Sequence, residues 1–148
     1  MAEPRTRKQR RRHTLARLDT DVDLWVATAG ATPHLIPLSF LWDGATLLIS
    51  TPEASPTGRN LRATGRVRLG FGPTRDVVLI EATADPIPAA EIPPEVGDAF
   101  AVRTDFDPRA LRTRYLYFRI RPRRVQAWRE EDELAGRDLM RDGEWLPD

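Results

Sequence analysis

The stretch TPEASPTGRNL, residues 51–61, sets the hydroxyls of Thr51, Ser55 and Thr57 just ahead of Arg59 and Asn60. Ser-Pro is a helix-opening pair, with Ser55 as N-cap and Pro56 at the first helical position. The first turn of a helix carries backbone N–H groups without intrahelical partners and lies at the positive end of the helix dipole. Hydroxyls and a guanidinium gathered there suit a phosphate. Arg59 can close on two phosphate oxygens, while Thr51 points toward whatever the phosphate is attached to. The same spacing also describes an ordinary N-cap, with Arg59 in solvent and Asn60 bonding the local backbone, and the pattern alone does not choose between the two.

Other chemistries drop out. The chain has no cysteine, which removes disulfides, thiolate catalysis and iron–sulfur clusters, and its only histidines, His13 and His34, lack zinc-type spacing. No metal site is expected. His34, beside Pro33, reads as a hairpin-edge residue rather than a catalyst. No GxGxxG loop or βαβ rhythm supports a Rossmann-type nucleotide site.

The elements that would position residues 51–61 are mostly strands. DLWVATA (23–29) is apolar and β-branched, HLIPLSFLW (34–42) alternates around Pro37, and ATLLIST (45–51) follows the hairpin signal Asp43-Gly44. A two-turn helix runs from Ser55 to a closing Gly65. Strand character returns in RVRLGFG (66–72) and DVVLIEATA (76–84), DPIPAAEIPPE reads as a proline-rich connector, and VGDAFAVRTDF (96–106) as a short helix. In RYLYFRIRPRRVQAW (114–128), Tyr115, Tyr117, Arg119 and Arg121 alternate with Leu116, Phe118 and Ile120. One face should be buried and the other wet, with the two tyrosines on the wet face and suited to an interface. The expected fold is all-β dominated with a few short helices, a small closed or partly closed antiparallel barrel of six strands.

The 148 residues carry a formal net charge of +1, but residues 1–18 hold seven basic residues against one acidic and the remainder 16 against 21. The division expected is a basic N-terminal arm and short helix over 1–20 and one domain over 21–148. RTRKQRRRH, without an interleaved aromatic, reads as a solvated arm leading into a helix that ends near Leu18, and nucleic acid is not expected as a partner. The arginines of the last strand are expected to form ion pairs. No apolar run is long enough to cross a membrane and no apolar segment follows the basic start, so a cytoplasmic protein is expected.

From about Asp23 to Trp145, the succession ATAGATPHLIPLSFLWDGATLLIST, SPTGRNLRATGRVRLGFG, DVVLIEATADPI and FRIRPRRVQAWREEDELAGRDLMRDGEWL resembles the pyridoxamine 5'-phosphate oxidase-like flavin-binding split-barrel family. The resemblance implies a six-stranded antiparallel split β-barrel over 21–148 and a homodimer. It also implies FMN, or in some branches the deazaflavin coenzyme, in grooves at the subunit interface, with hydride or electrons passed to a small organic substrate. By the same resemblance Pro37, Leu38 and Ser39 lie along the isoalloxazine. Ser50 and Thr51 reach the ribityl chain and phosphate, Ser55 binds the phosphate, and TGRNL, with Thr57, Arg59 and Asn60, overlays a segment that usually begins with lysine. Thr57 replaces that lysine. Trp128 matches a tryptophan that packs near the cofactor from the partner subunit. The substrate end departs from pyridoxamine phosphate oxidase proper: Ile36 stands where a basic residue is usual, and Arg137 and Arg141 only loosely match its C-terminal motif. A non-catalytic flavin carrier on the same fold is the alternative.

Overall fold

The computed structural model describes residues 3–148. Among these residues, nine strands form one antiparallel sheet: β1 Asp23–Ala29, β2 Pro33–Ser39, β3 Leu41–Trp42, β4 Leu47–Pro52, β5 Arg66–Phe71, β6 Val77–Pro88, β7 Tyr115–Trp128, β8 Asp138–Arg141 and β9 Glu144–Trp145. Their order is β2-β1-β5-β6-β7-β4-β3, with β8 added to β7 and β9 to β8. Three helices accompany it: α1 Arg7–Thr20, α2 Pro56–Thr64 and α3 Pro94–Thr104. The sheet curls into an antiparallel half-barrel, the split-barrel architecture expected, with three short strands beyond the six.

β6 and β7 pair from Val77↔Trp128 to Pro88↔Leu116, with a bulge at Glu81/Ala82 that adds twist. The concave face is filled from alternate positions: Leu24 and Val26 of β1, Leu47 and Ile49 of β4, Val67 and Leu69 of β5, Val78 and Ile80 of β6, and Phe118 and Ile120 of β7. α1 closes this core with Leu18. A second cluster of Leu48, Ile92, Phe100 and Tyr117 lies under α3.

Three expectations need correcting. DPIP continues β6 instead of serving as a connector; it lies toward the end of the strand, where Pro86 and Pro88 still pair in register with Phe118 and Leu116. Tyr117 is 0% exposed, packed edge-on against Phe100 at 5.4 Å, because α3 covers the face that alternation marks as wet. Most of the N-terminal arginines are drawn into the fold, Arg10 buried and Arg5, Arg7, Arg11 and Arg17 half-buried, while Arg12 stays exposed. The Arg5 guanidinium and backbone N–H donate to the Glu133 carboxylate at 2.8–3.0 Å, and Arg10, itself buried, donates to the Ala127 and Glu133 carbonyls at 3.0 Å. Arg7 meets the Pro147 carbonyl and Arg17 the Asp76 carbonyl. Three of the four β7 arginines form the ion pairs expected, Arg119 with Asp43, Arg121 with Asp85 and Arg124 with Asp138, and Arg123 does not.

Among the described residues no helix is long and apolar enough to cross a membrane. The buried Glu133 carboxyl is held by Arg5 down to a pKa of about 2, against burial that opposes it. Glu133→Gln should cost about 3 kcal/mol near neutral pH, because it leaves a buried guanidinium short of its charge partner. The depressed pKa means that this stabilisation is complete above the ordinary glutamate value and is lost as pH falls toward about 2. Urea unfolding of both proteins at stepped pH should show the gap closing over that window; a gap constant across it would contradict the pairing.

Candidate functional site

A groove of about 490 Å³ opens between β2, β4 and the end of α3. One wall is Pro37, Leu38 and Ser39 of β2 with Asp23 of β1, the floor is Ser50 and Pro52 of β4, and the far wall is Phe100, Thr104, Phe106 and Tyr115. Sequence explains each wall. β2 pairs only with β1, so a mid-strand proline costs no ladder hydrogen bond, and the outer edge keeps backbone N–H and C=O groups for a ligand. β4 is buried on both faces, and its Ser50 hydroxyl is satisfied by donating to the Leu116 carbonyl at 3.0 Å. On the far wall the Phe106 and Tyr115 rings meet at 5.4 Å. The groove is therefore flat-sided, aromatic on one side and backbone-edged on the other. A planar heterocycle fits that shape.

α2 begins just past the end of β4. The helix is as the sequence predicts: Ser55 caps it by accepting from the Gly58 N–H at 3.0 Å, Pro56 opens it, and Gly65 closes it in the left-handed conformation. Gly58 is required by close approach, because a Cβ there would lie 2.5 Å from the Pro52 carbonyl oxygen. The Ser55 hydroxyl also donates to that carbonyl at 2.8 Å and lies 3.1 Å from the Thr51 hydroxyl. Arg59 is exposed and donates to the Ala54 carbonyl, while Asn60 donates to the Thr28 hydroxyl at 3.1 Å, tying α2 to β1. Pro56 lacks an N–H, the Gly58 N–H is capped and Thr57 is fully buried, so the turn presents the half-buried Ser55 and the exposed Arg59 to a ligand.

Thr57 is the unusual member of this turn. It is fully buried and its hydroxyl has no hydrogen-bond partner. A buried hydroxyl left unpaired is a cost that the fold tolerates.

Of the residues singled out in the sequence, Pro37, Leu38, Ser39 and Ser50 line the groove. Thr51, Ser55, Thr57, Arg59 and Asn60 cluster at the start of α2. Trp128 stands apart, at the far end of β7 opposite Val77, with the Arg137 guanidinium 5.8 Å over its ring. Sequence reasoning missed the α3 wall. Phe106 follows the helix-ending Asp105, a left-handed residue, and an aromatic just past a helix end was the available signal. Behind the groove, Tyr117 faces Ser50 across the β4–β7 pairing; its buried hydroxyl is also unpartnered, and burial pushes its pKa up.

Thr57→Val removes the unpaired hydroxyl and keeps the shape. It should raise stability by about 1 kcal/mol in urea unfolding; a loss of similar size would mean that the hydroxyl has a partner.

The family model described as pyridoxamine 5'-phosphate oxidase matches residues 16–129. No curated protein matches the chain by sequence. Among solved structures, the chain is similar to a putative pyridoxamine 5'-phosphate oxidase from Listeria innocua, at 18% identity over 80% of this chain and 98% of that one, with a TM-score of 0.65. It is likewise similar to an F420 reductase, at 19% identity over 74% and 93%, TM-score 0.61. A FAD-binding protein from Mesorhizobium loti matches at 17% identity over 83% and 92%, TM-score 0.61. At these identities the structures speak for the fold, and the family follows from the model that spans most of the chain. With the curled sheet and the groove at β2, β4 and α3 in view, this chain belongs to the pyridoxamine 5'-phosphate oxidase-like family of flavin- and deazaflavin-binding split barrels.

Proposed function

We propose that the chain is a flavin-dependent oxidoreductase that holds FMN in the groove between β2, β4 and α3, completed by a second copy of itself. The observation that carries this reading is the coincidence of the flat groove with Pro37, Leu38, Ser39 and Ser50, next to a helix start that bears the Ser55 hydroxyl and the exposed Arg59. When bound, the flavin supplies hydride and electron transfer. The chain's own residues orient and desolvate it. The edge of β2 offers backbone groups to the ring, Phe106 and Tyr115 form its far wall, and Ser55 and Arg59 are the groups available to the phosphate. Without the usual lysine, Arg59 is the cation of that segment, and releasing it from the Ala54 carbonyl is a small cost for an exposed side chain. The likeness to an F420 reductase makes the deazaflavin coenzyme the second candidate.

The dimer reading rests on the outer face of β1 and β2. Trp25 is 52% exposed and Leu35 60%, and the pairings Trp25↔Pro37 and Ala27↔Leu35 place them in one apolar patch beside the groove. Such a patch is the kind a partner covers.

Leu35→Asp should convert a dimer to a monomer in sedimentation and weaken FMN binding at least about tenfold, by placing a charge in the buried interface. Anaerobic mixing of the FMN-loaded wild type with reduced nicotinamide, followed by absorbance, should show the flavin bleach and recover with air. An inert, unreduced flavin would support the carrier reading instead.

A further inference from the structure

We propose that a cleft remote from the groove, between the β3–β4 turn and the β8–β9 hairpin, binds a planar aromatic carboxylate. Its volume is about 500 Å³, within the range of small-ligand pockets, and it shares no lining residue with the groove at β2 and β4. Trp42 and Trp145 line it, with Met140 between strands and Arg121 and Arg123 reaching in from β7. No acidic residue lines it. Along β7, Arg124 meets the buried Asp138 carboxylate at 3.1 Å and Arg119 the exposed Asp43 carboxylate at 3.3 Å, while Arg121 meets Asp85 at 3.4 Å in solvent, a contact of little worth. Of the four β7 arginines, Arg123 is the one whose guanidinium meets no carboxylate among the described residues.

Space has been left for that guanidinium. Gly143 turns the β8–β9 hairpin with φ of 79°, and a Cβ there would sit 2.8 Å from Arg123 Nη1. A third cation, Arg11 of α1, lies 4.8 Å over the Trp145 ring. Indole walls stack on a flat ring and the guanidiniums of Arg123 and Arg121 receive its carboxylate, so both halves of the ligand are recognised. This assignment is independent of the flavin reading.

Isothermal titration of the full chain tests it with 2-naphthoate, its neutral amide and cyclohexanecarboxylate. Saturable binding of 2-naphthoate at one site per chain is expected, with both analogues at least about tenfold weaker. Arg123→Gln and Trp42→Leu should each weaken 2-naphthoate at least about tenfold. Arg68→Gln, outside the cleft, should leave it unchanged, as should saturation with FMN. No saturable binding, equal binding of the amide, an unchanged Arg123→Gln or competition by FMN would each overturn the proposal.

Discussion

The long antiparallel ladder between β6 and β7 is the constraint on which the rest of the structure depends. β5, β1 and β2 are built outward from one side of it and β4 and β3 from the other. The bulge at Glu81/Ala82 and the natural twist of the strands make so long a pair curl. Curling brings β2 and β4, far apart in strand order, to two sides of the same groove. The ligand site is thus a consequence of sheet geometry, and the side chains that line it refine a cleft the backbone has already made.

A second constraint is electrostatic. The basic start of the chain would repel itself as a free arm, yet most of its arginines are consumed inside the molecule. Arg10 bridges two carbonyls across the turn after Trp128, and Arg5 neutralises the buried Glu133. Asp76 draws Arg5, Arg17 and Arg129 together. The helix is therefore a clamp on the end of β7, and the charge run that invites a nucleic-acid reading is largely spent on folding.

Much of this was legible in the sequence for identifiable reasons. Ser55-Pro56 and Gly65 bound α2 because capping chemistry is local. Asp43-Gly44 marked the β3–β4 turn, and alternation gave the buried face of β1 and β5. What failed was non-local. Tyr117 obeys the alternation, but α3 folds over the face it occupies. Nothing within DPIP reveals that β7 is long enough to hold it as a strand. The Arg5–Glu133 pair spans most of the chain, so no window contains both. For the site, β2 and the α2 start were readable from residue type, whereas the α3 wall depends on how a helix end docks.

The central claim is that the groove holds a flavin and that the start of α2 receives its phosphate. The most direct measurement is equilibrium titration of the full chain with FMN and, in parallel, with riboflavin, which has the same ring and no phosphate. Saturable FMN binding at one site per chain, at least about tenfold tighter than riboflavin and weakened by Arg59→Ala, is the predicted result. Equal affinity for the two flavins, or binding of neither, would contradict it.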